Sequence, residues 1–349
     1  MQSPSYCAPW LLRNGLLMTL YTGLRAPYIW QETLSEPEPV FHEKIFTGAQ
    51  GVPIFGKVAM PPDPIGTLVG TYGITGDLED QWFLKIMARK AFAKGYAVVV
   101  FDWRAHGRTA QLSPTLTSDG LYEGEDFVRI AAAAKAMGCP APIWFTAFSL
   151  GGLLALWGLK SAQDLPKWGK ELNIASEDVA GCAVICPALE SARSLTYLTQ
   201  APAGKYLEKA ITRKLKQLLE QLQRSHPTSF DPAAIERVHS IWSFDHEMVI
   251  SKLGFSTVEE YYRATSGLYL LPELAKPTLI LYAADDPLFA PSLVEDIETA
   301  CAANPNIKLV LTRQGGHVGY ISSPACQKQF NDGDCWWAWN RILDWCGRF

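Results

Sequence analysis

Short apolar runs alternating with helical patterns constrain the fold of this chain more than any other feature. Six runs of β-branched and aliphatic residues show no polar alternation, as is typical of strands buried on both faces. They cover residues 67–72, 96–101, 143–147, 179–185, 278–282 and 308–311. Helical patterns lie between most of them, at 82–93, 122–137, 150–162 and 291–302. This alternation predicts an α/β fold with a mostly parallel sheet and helices on both faces.

Two further segments complete the predicted sheet and its cover. Residues 40–47 and 52–60 are separated by Gly-Ala-Gln-Gly and predict an antiparallel hairpin at one edge, which brings the sheet to eight strands. Residues 335–349 form a tryptophan-rich helical pattern. We expect its large aromatic surface to pack on the sheet rather than to bind a ligand.

One region interrupts the alternation. Between residues 185 and 278 no buried strand is evident, and helical periodicity dominates. We interpret residues 187–272 as a helical cap inserted between the sixth and seventh strands, over the active-site end of the sheet. Within it, apolar residues from 207 to 222 form one stripe of a basic amphipathic helix. Packing of this stripe against the core is favoured, and peripheral contact of the cap with a membrane surface is the alternative.

Length and charge narrow the class of protein. A chain of 349 residues with 48% hydrophobic residues is long enough for one large α/β domain with an insertion or for two modest domains, and we favour a single domain over 1–349. The 31 Lys and Arg nearly balance the 35 Asp and Glu, so the net charge of −4 gives no basic field for nucleic acid and favours a small-molecule partner. Residues 10–24 are apolar but too short to span a bilayer. We therefore expect residues 1–38 to be an arm packed on the domain.

The cysteines indicate neither a metal site nor a disulfide framework. Eight are scattered along the chain with no C-x-x-C pair and no neighbouring histidine cluster. This pattern favours reduced thiols in a cytoplasmic protein. Cys326 and Cys335 flank a polar loop, and their spacing alone does not show whether they pair.

Ser149 is the candidate nucleophile. The apolar run that begins at residue 143 ends at this serine, and a helical pattern follows directly. A strand–serine–helix turn is so tight that the residues two before and two after the serine must be small. Ala147 and Gly151 occupy those positions. The pattern is weak alone, and it needs a base and an acid elsewhere in the chain.

His317 and Asp286 supply that base and acid. His317 lies in the sequence Gln-Gly-Gly-His-Val-Gly after the last strand, where glycines let an imidazole approach the nucleophile. The strand at 278–282 runs into two adjacent aspartates, and we favour Asp286, which precedes a proline, over Asp285. The chain order of serine, aspartate and histidine is that of α/β-hydrolases.

An oxyanion would need two N–H donors beside the serine. The N–H of Leu150, directly after the nucleophile, is one candidate. The loop at 71–77 follows another strand, and its Gly73 permits a tight turn, so the N–H of Ile74 is the second candidate.

With these residues in place, the chain resembles the α/β-hydrolase superfamily, and more narrowly the YheT-like hydrolases. That group includes the bacterial YheT esterases and the eukaryotic abhydrolase-domain proteins 1 to 3. Similar segments are 9–19, 72–76, 148–152, 258–266 and 283–288. Departures from the family pattern are Leu16, Tyr72 and Ala147, and the turn at 102–107 is closer to that of general hydrolases. On these segments the chain is identified as a divergent member of the YheT-like group.

The resemblance implies a cofactor-free carboxylic ester hydrolase that uses Ser149, His317 and Asp286. The apolar cap and the lack of a polar binding signature favour esters of lipophilic acyl groups. Two alternatives remain at this stage. One is an acyltransferase or thioesterase with the same triad, and the other is a non-catalytic binding protein on a hydrolase fold. The sequence leaves the oligomeric state open.

Overall fold

The computed structural model describes residues 6–349 and contains one eight-stranded sheet. The strand order is β1-β2-β4-β3-β5-β6-β7-β8. Only the β1–β2 and β2–β4 pairs are antiparallel, and all other neighbours are parallel. The strands are β1 (His42–Thr47), β2 (Pro53–Ala59), β3 (Gly66–Gly70), β4 (Tyr96–Phe101), β5 (Ile143–Phe148), β6 (Val179–Ile185), β7 (Thr278–Ala283) and β8 (Ile307–Thr312).

Helices cover both faces of the sheet and fill the segment between β6 and β7. In chain order they are α1 (Gly15–Leu24), α2 (Trp82–Ala93), α3 (Thr109–Leu112), α4 (Glu123–Ala136), α5 (Ser149–Trp168), α6 (Ser191–Gln200), α7 (Pro202–Ser225), α8 (Pro232–Arg237), α9 (Ile241–Phe244), α10 (Ile250–Leu253), α11 (Val258–Thr265), α12 (Gly267–Leu270), α13 (Leu293–Ala302), α14 (Pro324–Phe330) and α15 (Trp337–Cys346). A short π-helical turn, Asp245–Val249, lies between α9 and α10.

The prediction of an α/β-hydrolase fold with a mostly parallel eight-stranded sheet is confirmed. The central strands β3, β4, β5 and β7 are buried along their whole length, which is why the sequence showed continuous apolar runs. One predicted strand was too long. The run at 67–72 leaves the sheet after Gly70, because Thr71 and Tyr72 begin a loop that reaches the site.

Residues between β6 and β7 pack around a second apolar cluster, separate from the main core. The buried side of α7 contributes Leu215, Leu218, Leu219 and Leu222 to this cluster. The second half of the apolar stripe of α7 is therefore covered by protein. The two ends of the segment meet, since Ser266 Oγ and the Leu268 N–H both donate to the carbonyl of Leu189, at 2.9 and 2.8 Å.

The two ends of the chain pack together beside the sheet. From the N-terminal region, Met18, Ala26 and Trp30 are buried in the main core. Trp337 and Trp339 of α15 are also buried. The rings of Trp339 and Phe83 are in contact, with their centroids 5.1 Å apart. The aromatic surface of this helix therefore packs on the domain, as predicted. Every cysteine in the chain is a free thiol. No helix within residues 6–349 has the length and apolar character needed to cross a membrane.

A buried ion pair joins three parts of the fold. Arg104 follows β4, and its Nε and Nη2 donate to the two carboxylate oxygens of Asp126 on α4, at 2.7 and 3.0 Å. The same Nη2 donates to the carbonyl of Ala49 in the β1–β2 turn, and the Ala49 N–H donates to Asp126. Both charged side chains are almost fully buried, so neither can be solvated by water if the other is removed.

Arg104→Met should therefore lower the free energy of unfolding by about 3–5 kcal/mol, because it leaves the Asp126 carboxylate buried without a counter-charge. The double variant Arg104→Met/Asp126→Leu should recover at least half of this loss, since it removes both charges. Urea denaturation at neutral pH measures both values. A double variant as unstable as the single one would contradict the role of the pair.

Candidate active site

Ser149 lies at the turn between β5 and α5. Its φ is 56°, in the left-handed region that residues with side chains rarely adopt. This strained backbone holds the serine at the carboxyl end of the central strand, where it lines a large pocket. The geometry is that of a nucleophile turn.

Gly151 is required here, although for a different reason from the one expected. A Cβ at this position would lie 2.2 Å from the carbonyl oxygen of Tyr72, in the loop after β3. The constraint therefore comes from a neighbouring loop rather than from Ala147 across the turn. Ala147 itself is fully buried in β5.

The structure brings Ser149, His317 and Asp286 into one hydrogen-bonded chain. His317 Nε2 lies 2.9 Å from Ser149 Oγ, and His317 Nδ1 lies 2.8 Å from Asp286 Oδ2. The other oxygen of Asp286 accepts the Leu288 N–H at 2.9 Å. Asp286 is buried and His317 is 9% exposed, so the contact between them is shielded from water, whereas the contact with Ser149 faces the pocket.

The adjacent aspartate has a different contact. Asp285 Oδ1 accepts the Gly316 N–H at 2.9 Å and so holds the histidine loop without touching the imidazole. On the other side of that loop, the His317 N–H donates to Thr19 Oγ1 of α1 at 2.8 Å. The arm thus takes part in positioning His317, a contact that sequence reasoning missed because the two residues are far apart in the chain.

The two candidate oxyanion donors lie beside the serine. A Cβ added to Gly73 would be 2.9 Å from Ser149 Cβ and 3.3 Å from its Oγ, so only glycine lets the loop pass this close. Ile74 follows it and lines the same pocket as Ser149 and Leu150. The Leu150 N–H falls in the first turn of α5, where N–H groups have no acceptor within the helix.

Comparisons with known proteins bear on the family of this chain. Residues 73–325 match the sequence model described as "Alpha/beta hydrolase family". The chain belongs to the alpha/beta hydrolase family.

Individual relatives extend this result. The chain is 51% identical to slr0264 of Synechocystis sp., named as a candidate esterase, over 98% of this chain and 94% of that protein. It is 27% identical to YheT of Escherichia coli, also named as a candidate esterase, over 59% of this chain and 55% of YheT. Among solved structures, the Pyrococcus furiosus esterase Pf2001 superposes with a TM-score of 0.55 at 16% identity, covering 89% of this chain and 93% of that one. The last match shows the fold alone. The resemblance to YheT-like hydrolases is confirmed.

In this hydrolase, the loop after β3 is held by residues of the loop after β4. Tyr72 Oη donates to Asp102 Oδ1 at 2.5 Å, and the Leu78 N–H donates to the same oxygen at 2.9 Å. The Arg108 N–H donates to the second oxygen. Tyr72 is one of the departures from the family pattern noted in the sequence, and this contact with Asp102 gives it a positioning role that the sequence did not reveal.

His106 holds the other side of the same loop. Its Nε2 lies 3.0 Å from the Thr75 N–H, and its Nδ1 lies 2.8 Å from the carbonyl of Arg104. Because Nε2 must accept and Nδ1 must donate, the imidazole is neutral and carries its proton on Nδ1. Burial lowers the pKa of His106 to about 4. The turn at 102–107, which stood out in the sequence, was the available signal for this residue.

The pocket in front of Ser149 has a volume of about 870 Å³, part of it open to solvent. Its walls are mainly aliphatic and aromatic. From the segment between β6 and β7 come Leu195, Leu198, Ile211, Leu215, Ile241 and Phe244, and from the loop after β7 come Leu288 and Phe289.

Two buried carboxyl groups line the same pocket, and sequence reasoning missed them. Asp119 precedes α4, and Asp245 opens the π-helical turn and accepts a hydrogen bond from Tyr262 Oη. Burial, with the charge of Glu123 second, raises the pKa of Asp119 to about 6. Burial, with the charge of Asp119 second, raises the pKa of Asp245 well above its usual range. The pair places two carboxyl groups in a pocket whose walls are mainly apolar.

The pKa of His106 predicts a loss of stability in acid. The unfolded chain gains a proton near pH 6.5, whereas the folded protein resists protonation down to about pH 4. Stability is therefore complete above pH 6.5 and falls as the pH drops, by about 3 kcal/mol for this group at pH 4. His106→Gln keeps an acceptor for Thr75 and should remove that part of the fall. Denaturant unfolding at pH 7 and pH 4 measures the difference, and identical pH dependence in the two proteins would contradict the assignment.

Proposed function

We propose that this alpha/beta hydrolase cleaves carboxylic esters of lipophilic acyl groups through Ser149, His317 and Asp286. The observation that carries the proposal is the position of His317, within hydrogen-bond distance of the serine and of a buried carboxylate at the same time. An imidazole held in this way can accept a proton on one nitrogen while the other is kept in its donor form.

The proposed reaction begins when Ser149 Oγ attacks the ester carbonyl and His317 Nε2 takes the hydroxyl proton. Asp286 accepts the hydrogen bond from Nδ1 and stabilises the imidazolium that forms. The N–H groups of Ile74 and Leu150 donate to the oxyanion of the tetrahedral intermediate. His317 then gives its proton to the departing alcohol, which leaves an acyl group on Ser149. Water repeats the cycle and releases the acid, so no cofactor is needed.

The pocket walls support the proposed acyl specificity. Leucine, isoleucine and phenylalanine side chains cover most of the volume in front of the serine, and burial of an acyl chain there contributes about 0.8 kcal/mol per CH₂. The names of slr0264 and YheT as candidate esterases support the same reaction class. Asp119 and Asp245 line the same pocket, and we expect their carboxyl groups to contact polar groups of the substrate.

Covalent labelling tests whether the site is catalytic at all. A serine-directed fluorophosphonate should label the wild-type protein once, and the peptide containing Ser149 should carry the label. Ser149→Ala should lose the label and at least 10³-fold of the hydrolysis rate on a medium-chain p-nitrophenyl ester. Full esterase activity in Ser149→Ala would contradict the proposal. A wild-type protein that the fluorophosphonate does not label would favour the alternative of a non-catalytic binding protein.

The adjacent aspartates provide a matched pair of variants. Asp286→Asn should lower kcat by about 10³–10⁴, because the amide favours the wrong tautomer of His317. Asp285→Asn should keep most of kcat, since the Asp285 carboxylate accepts the Gly316 N–H and forms no hydrogen bond with the imidazole of His317. Steady-state kinetics on the same ester measures both. The reverse order of the two effects would transfer the acid role to Asp285.

A further inference from the structure

The N-terminal arm carries a cluster of exposed apolar side chains that no part of residues 6–349 covers. We call it the arm patch, and it comprises Trp10, Leu11, Leu17, Leu20, Leu24 and Tyr28. Trp10 is 76% exposed, Leu24 is 70% exposed and Tyr28 is 80% exposed. Six of the sixteen exposed large apolar side chains in the described part of the chain thus lie between residues 10 and 28. Such clustering marks an interaction surface, whereas isolated exposed apolar residues are ordinary.

Helix α1 is apolar on both of its faces. Leu17, Leu20 and Leu24 are spaced by three and four residues, so they share the outward face. Gly15 and Met18 on the opposite face are buried against the domain. A helix on a protein surface usually turns a polar face outward. The outward face of α1 is therefore apolar although it is exposed to solvent.

The two charged residues between positions 6 and 31 are both arginines. Arg13 precedes α1 and Arg25 follows it, both are exposed, and neither forms an ion pair within residues 6–349. Residues 6–31 contain no Asp or Glu. Long arginine side chains can reach lipid headgroups while a neighbouring leucine stripe enters the acyl region, and Trp and Tyr favour the boundary between the two.

We propose that the arm patch docks on the surface of an anionic lipid bilayer. A second copy of the chain fits this surface less well, because a two-fold contact through the same patch would bring the arginines of both copies together with no acidic partner. The apolar stripe of α7 fits this role less well, since its Leu215, Leu218, Leu219 and Leu222 are buried. This proposal goes beyond the hydrolase reaction and does not depend on it.

Helix α1 carries Leu17, Leu20 and Leu24 of the arm patch, and its other side contacts the two loops that contain Asp285 and His317. A Cβ at Gly15 would be 1.8 Å from the carbonyl oxygen of Asp285, and Thr19 Oγ1 accepts the His317 N–H. The loop after Asp285 contributes Leu288 and Phe289 to the pocket wall. Docking through the outward face of α1 would therefore bring the bilayer next to the loops that form the site.

Vesicle co-sedimentation of the full chain tests the docking. The wild-type protein should bind vesicles of phosphatidylcholine mixed with phosphatidylglycerol more tightly than vesicles of phosphatidylcholine alone. Leu17→Gln/Leu20→Gln/Leu24→Gln should weaken binding to the mixed vesicles at least tenfold. Arg13→Gln/Arg25→Gln should remove the preference for anionic lipid and the dependence of binding on salt.

The matched control changes three side chains of similar exposure outside the arm. Met60→Gln/Ile65→Gln/Met137→Gln should bind the mixed vesicles as wild type does. Thermal unfolding checks that each variant is folded. Equal binding of wild type and the leucine variant, or no binding of wild type to either vesicle, would overturn the proposal. A wild-type dimer in solution that the leucine variant converts to a monomer would do the same, because it would assign the arm patch to a second copy. Since binding is read without activity, a failure of the proposed hydrolase reaction would leave this result intact.

Discussion

The close approach of the loop after β3 to the turn at Ser149 is the contact on which the rest of the site depends. Side chains are excluded on both sides of it, since a Cβ at Gly151 would meet the Tyr72 carbonyl and a Cβ at Gly73 would meet Ser149. The parallel pairing of β3 with β5 brings the two backbones together, and the Thr71 N–H extends that pairing to the carbonyl of Thr146. A larger residue at either glycine would move the candidate oxyanion donor Ile74 away from the serine.

Much of this architecture could be predicted because a strand that is buried on both faces of a sheet is a continuous apolar run in the sequence. The run at 96–101 coincides with β4, and the pattern at 82–93 coincides with α2. Where carboxyl ends of parallel strands gather, the loops that follow them must meet, so Ser149 and His317 could be assigned to one site from chain order alone. The preference for Asp286 was a weaker inference, and only the contact of its carboxylate with the imidazole distinguishes it from Asp285.

The contacts that escaped prediction join residues from different segments and have no periodic signature. Thr19 and His317 are 298 positions apart, yet the hydroxyl of one accepts the N–H of the other. The pairing of Tyr72 with Asp102 depends on β3 and β4 lying side by side, which no local pattern encodes. The segment between β6 and β7 posed a third difficulty. Its periodicity predicted helices but did not determine their bounds, and the chain forms the short helices α8 and α9 and a π-helical turn there, because short helices packed on one another need no long amphipathic repeat.

The segment between β6 and β7 affects the chemistry of the pocket as well as its shape. Asp119 lies before α4 and Asp245 lies between β6 and β7, so the packing of that segment brings the two carboxyl groups into one pocket. Two carboxylates brought together away from water repel each other, and retention of a proton on one of them relieves that repulsion. Burial and the charge of Asp119 raise the pKa of Asp245 well above its usual range, and the hydroxyl of Tyr262 donates to its carboxyl group. A raised pKa favours the neutral form of a carboxyl group, which can both donate and accept hydrogen bonds. The pocket therefore combines apolar walls with a carboxyl group whose charged form is disfavoured, and such a group costs less to desolvate than a carboxylate.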